Sequence, residues 1–85
     1  VAKRQNKVRD MKTACNYPIG AAWQAISKNT GRIGTIWLDD RKNGIEIWRW
    51  NSVYADGSGL RFDWATTYRA CRESINVYSR FKRIK

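Results

Sequence analysis

The chain has 85 residues, enough for one domain, and its 17 Lys and Arg against seven Asp and Glu give a net charge of +10 with no His. Without His the commonest general base near neutral pH is missing, and most of the acids fall in predicted turns, so the chain is not expected to be an enzyme. No apolar run approaches the roughly 18 residues that span a bilayer, and no signal peptide precedes Val1, so a soluble, processed chain without membrane insertion is expected.

Residues 1–12 carry Lys3, Arg4, Lys7, Arg9 and Lys12 against Asp10, with low hydrophobicity and no periodicity. This composition predicts a disordered basic arm, followed by a single β-rich domain over 13–85 with a basic C-terminal end. Over 18–28, Ile19, Ala22, Trp23 and Ile26 recur at helical spacing after Pro18; strand is preferred there, with a short helix in an α+β fold as the alternative. Arg32-Ile-Gly-Thr-Ile-Trp-Leu38 and Ile45-Glu-Ile-Trp-Arg-Trp50 flank Asn43-Gly44, which predicts a β-hairpin. Asp39-Asp40-Arg41-Lys42 is assigned to its connection, as a solvated turn, making the loop longer than two residues. Ile45 and Ile47 share one face of the return strand and Trp48 and Trp50 the other, a change of phase that fits a bulge or a strand buried on both sides.

Ala55-Asp-Gly-Ser-Gly59 reads as a second turn. Beyond it Leu60, Phe62 and Trp64 alternate with Arg61, Asp63 and Ala65, the pattern of a half-buried strand, and Ile75, Val77 and Phe81 repeat the pattern in a last strand. Trp64, Tyr68, Cys71, Ile75 and Tyr78 also fit a helical period. Thr66, Thr67, Asn76 and Val77 are poor helix formers, so strand is preferred.

Cys15 and Cys71 bracket the patterned region. An even pair in a short chain favours a disulfide in an oxidising compartment over two buried thiols, and the chain-entropy model credits so long a loop with about 4 kcal/mol. Two Cys and no His do not complete a four-ligand zinc site, and no cofactor is implied. Gly31-Arg32-Ile33-Gly34 lacks the features of a phosphate-cradling loop.

Binding is the better expectation. The sharpest version of a surface is Trp48, Arg49 and Trp50 on one strand, with Arg61, Tyr78, Arg80 and Lys82 nearby, where rings stack on unpaired bases and cations follow phosphates. Against it stands the need of a small domain to bury its large side chains, which favours Trp48 and Trp50 as core.

The Cys15 position, the hairpin from Gly31-Arg-Ile-Gly-Thr-Ile-Trp37 to Ile45-Glu-Ile-Trp48, and Cys71 just before the 75–81 segment resemble the pattern of the MAX effectors, small secreted virulence proteins of plant-pathogenic fungi. The resemblance implies a six-stranded antiparallel β-sandwich stapled by a Cys15–Cys71 disulfide. It also implies secretion, translocation into host cells, and non-catalytic binding of a host macromolecule, in particular a host protein through an exposed sheet edge. The alternative expectation is an intracellular nucleic-acid-binding module using basic tails and exposed aromatics.

Overall fold

The computed structural model describes residues 17–77 and 79–85. Among these, five strands form a single antiparallel sheet: β1 (Ala22–Ile26), β2 (Arg32–Lys42), β3 (Ile45–Tyr54), β4 (Arg61–Ala65) and β5 (Lys82–Arg83), in the order β4-β3-β2-β1-β5. One helix, α1 (Tyr68–Ile75), lies on one side of it. Over the described residues the fold is thus mostly β with one short helix. The second sheet of a six-stranded sandwich is not formed by the described residues. The predicted basic arm and Cys15 lie outside them, as does Tyr78.

The β2–β3 hairpin is the centre of the sheet. Asn43 and Gly44 both have positive φ, 53° and 78°, the left-handed pair that lets a two-residue turn match the strand twist. The connection is therefore just these two residues, and Asp39–Lys42 belongs to β2 rather than to a longer loop. The irregularity expected in the return strand sits instead in β2, where the register shifts between Leu38 and Asp40. β3 keeps an unbroken alternation: Glu46, Trp48, Trp50 and Ser52 are buried, and Arg49 between them is exposed. Ile45 and Ile47 are simply on its other face.

Within the 18–28 segment Ala22–Ile26 form strand β1, with no helix, because both edges are paired, to β2 along the strand and to β5 at Trp23 and Gln24; Ile19, Gly20 and Lys28 lie in turns. The helix is elsewhere. α1 occupies a stretch expected to be strand, and the residues that argued against a helix are its boundaries. Thr67, in extended conformation, caps it by accepting a hydrogen bond from the Ala70 N–H at 3.1 Å, and Asn76 ends it in the left-handed region. In place of the expected strand over 75–81, the described residues show the end of α1 at Ile75 and no strand before the short β5.

Tyr68, Cys71 and Ile75 recur at i, i+3 and i+7, and with Val77 they cover the sheet residues Ala25, Ile36, Leu38, Trp48 and Trp50. Trp48 is only 2% exposed. Its indole N–H donates to Glu46 Oε1 at 3.0 Å, and Arg41 pairs with Glu46 Oε2 at 3.1 Å while donating to the Tyr17 carbonyl at 2.6 Å. These bonds satisfy the buried carboxylate, whose isolation would be costly. At the opposite end Arg32 donates to Ser52 Oγ at 2.7 Å and to the Gly59 carbonyl, and lies over the Tyr54 ring, which ties the 55–60 turn to the hairpin.

The end of α1 approaches β2 at Gly34, where an added Cβ meets Ile75 Cδ1 at 2.9 Å and Val77 Cγ2 at 3.1 Å. Gly34→Ala is therefore expected to destabilise by about 1–2 kcal/mol through overpacking, read as a lower thermal midpoint. A midpoint equal to that of the parent chain shows that the helix end yields freely.

Candidate functional site

The register of the strands assigns every side chain to one of two faces. Cross-strand partners share a face. Gly34, Ile36 and Leu38 of β2 oppose Ser52, Trp50 and Trp48 of β3 on the helix side, and the intervening residues point the other way. On that other face no described element covers the sheet.

Three rows cross it. One runs through Lys82, Gln24, Thr35, Asn51 and Phe62, one residue from each strand. Beside it lies Ala22, Trp37, Arg49 and Trp64, and beyond the first row lie Ile26, Ile33 and Val53, with Leu60 next to the start of β4. Phe62 is 72% exposed and Trp64 53%. Trp37 is half-buried between its neighbours. Gln24 Nε2 donates to Thr35 Oγ1 at 3.1 Å, and Arg49 Nε pairs with Asp39 at 2.9 Å.

At the β5 edge a groove lined by Gln24, Ile26, Lys28, Arg80, Lys82 and Ile84 adjoins this face. None of Lys28, Arg80 and Lys82 forms an ion pair with a carboxylate among the described residues. The edge-to-edge span of five strands is about 19 Å at the usual strand spacing. Along the first row a cation thus stands at one edge, an aromatic ring at the other, and amide and hydroxyl groups between them.

The residues expected to form a surface are divided by this arrangement. Trp48 and Trp50 are core, and only Arg49 of that triplet reaches the open face. Lys82 lies on the same face at the far edge, and Arg80 lines the groove. Arg61 opposes Ser52 and so belongs to the helix side. Tyr78 is outside the described residues. Trp37, Phe62 and Trp64 are the rings that the sequence reading did not single out. Leu60, Phe62 and Trp64 were expected on the buried side of their strand, and they are exposed because α1 rises from the end of β4 onto the opposite face. The signal was the phase of Arg49: an exposed residue in the middle of β3 whose lateral neighbours are Trp37 and Trp64.

Cys71 is wholly buried against the sheet, and its partner in the expected disulfide, Cys15, lies outside the described residues. Burial pushes the Cys71 thiol up to about 11, opposed by a backbone hydrogen bond at Ala65. No helix among the described residues is long and apolar enough to cross a membrane. Comparison with protein-family models, with curated proteins and with solved structures returns no match to this chain.

A thiol whose folded pKa is raised contributes stability that is present below its unfolded value near 9 and is lost as pH rises through about 11. Under reducing conditions the parent chain is expected to lose about 1 kcal/mol more than Cys71→Ala between about pH 8 and about pH 10, measured by denaturant unfolding. Parallel losses in the two chains show that burial does not hold the folded thiol above its unfolded value.

Proposed function

We propose that this chain is a non-catalytic module that binds single-stranded nucleic acid on the open face of its sheet. The observation that carries the reading is the row Trp37, Arg49, Trp64 with Phe62 beside it: solvent-reaching rings on β2 and β4 with Arg49 of β3 between them, on the face that a basic edge groove adjoins. Bases stack on exposed rings whatever their sequence, and the phosphates follow Lys28, Arg80 and Lys82. The basic residues of the first twelve positions add salt-sensitive attraction to the same polyanion. Duplexes are disfavoured, since their bases are already stacked.

Titration with an oligothymidylate of about 15 nucleotides is expected to quench Trp fluorescence. Phe62→Ala and Trp64→Ala are each expected to weaken binding by about 1–3 kcal/mol. Both side chains are exposed, so stability should stay within about 0.5 kcal/mol. Lys82→Ala should reduce the slope of log affinity against log salt by about 0.7. If neither aromatic substitution changes affinity, attraction is by net charge alone and the reading fails.

A second reading rests on β4, an edge strand with an exposed outer flank. Here the chain is a secreted effector of the MAX type, stapled by Cys15 and Cys71 and completed to six strands, that adds β4 to the sheet of a host protein. It requires the disulfide. Thiol-alkylation mass spectrometry on acid-quenched protein from its native source is expected to find the two cysteines joined in this case, and two alkylated thiols remove it.

A further inference from the structure

We propose that the helix side of the sheet holds a second binding site, for a small planar aromatic ring that carries a phosphate or carboxylate. Tyr17, Trp23, Trp48, Tyr68 and Phe81 line a cavity of about 280 Å³. Their rings meet at steep angles: Tyr17 to Trp23 at 5.0 Å and 87°, Trp23 to Tyr68 at 5.3 Å and 61°, and Trp48 to Tyr68 at 5.6 Å and 71°. With Trp23 and Trp48 tilted at 45° and 5.7 Å, these packed contacts join the four rings into one continuous wall of the cavity. An apolar void of roughly 150 Å³ takes up benzene, so this one has room for a fused bicyclic ring.

Beside the cavity, and sharing Tyr68 and Phe81 with it, is a shallower recess whose other walls are Arg72, Ser79 and Arg80. Arg72 is fixed in place: its guanidinium carbon is 4.4 Å from the Phe81 ring centre, and Nη1 donates to the Ser79 carbonyl at 3.2 Å. Neither Arg72 nor Arg80 is paired with a carboxylate among the described residues. An aromatic chamber that opens onto two uncompensated guanidiniums matches a molecule with an apolar ring at one end and an oxyanion at the other.

The charge at the walls decides between an anion and the cation that aromatic chambers also favour. Arg83 already lies over the Tyr17 and Trp23 rings, 5.1 and 5.6 Å from their centres, as Arg72 does over Phe81. The one buried carboxylate nearby, Glu46, is held by Arg41 and the Trp48 indole. A cationic ligand would meet guanidiniums on three of the five rings with no acid left to receive it. The site lies across the sheet from the open face, shares Arg80 with the groove there, and rests on different rings from the nucleic-acid reading.

The test uses the full chain and three probes of one ring size: 1-naphthyl phosphate, neutral 1-naphthol and cationic 1-naphthylmethylammonium. Binding is followed through the indole N–H signals of Trp23 and Trp48 against those of Trp37 and Trp64. The phosphate is expected to move the first pair and to bind about tenfold or more tightly than naphthol, with the ammonium weaker still. Arg72→Gln should weaken naphthyl phosphate by about tenfold and leave naphthol unchanged. Equal binding of all three probes, no shift at Trp23 and Trp48, or shifts confined to Trp37 and Trp64 would each overturn the proposal.

Discussion

Eight residues of helix have to cover a sheet of five strands, and they cover one side of it. At about 1.5 Å per residue α1 is about 12 Å long, shorter than the roughly 19 Å between the edge strands. It succeeds because its inward stripe is compact and because the sheet meets it with two tryptophans. Trp48 and Trp50 fill the centre, and Gly34 lets Ile75 and Val77 close onto β2 without a side chain between them. The aromatic residues Tyr17, Trp23, Tyr68 and Phe81 extend the core past the end of the helix stripe. No second layer remains among the described residues for the other face, so its aliphatic and aromatic side chains stay in water.

The alternation of β3 is what makes the two faces chemically different. Its inward positions are Glu46, Trp48, Trp50 and Ser52, and its outward ones are Ile47, Arg49, Asn51 and Val53. The sequence shows this alternation plainly, and the Asn43-Gly44 turn fixes the register of β2 against it, so the hairpin and the burial of the two tryptophans were both legible. What a single strand does not reveal is which side of its own alternation faces the core. For β4 that choice was settled by the direction in which the chain leaves the strand, a tertiary fact, and Phe62 and Trp64 came out exposed. The helix was hidden for a local reason. Thr67 and Asn76 lower helix propensity when averaged over a window, yet at the two ends they stabilise the helix they seem to oppose.

Charge is distributed by structure differently from its distribution along the chain. Counted by position, the basic residues near the C-terminus form a tail. In the fold they are the β5 edge, where Lys82 opposes Gln24 and the N–H groups of Ile84 and Lys85 both donate to the Ala22 carbonyl. Several interior arginines are occupied in holding the fold: Arg32 binds Ser52 and the 55–60 turn, Arg41 neutralises Glu46, and Arg49 meets Asp39. Of the cations without a carboxylate partner among the described residues, Lys28, Arg72, Arg80, Lys82, Arg83 and Lys85 belong to α1, β5 and the segments beside them, whereas Arg32 is held by Ser52 and Gly59 and Arg61 lies on β4 at the opposite edge. Arg80 borders both the groove on the open face and the recess on the helix side.

An uncovered sheet face of this kind invites association, and net charge governs which associations are permitted. Two copies meeting through their open faces would bring two chains of +10 together, and the rim cations Lys28 and Lys82 would lie along the junction. Self-repulsion of that size opposes a symmetric dimer and keeps the apolar rows accessible at the ionic strengths where the charge is weakly screened. A polyanion reverses the sign of the same interaction. The charge that excludes a second copy draws a phosphate backbone to the groove, and the rings of Trp37, Phe62 and Trp64 then supply the short-range contacts that charge alone does not.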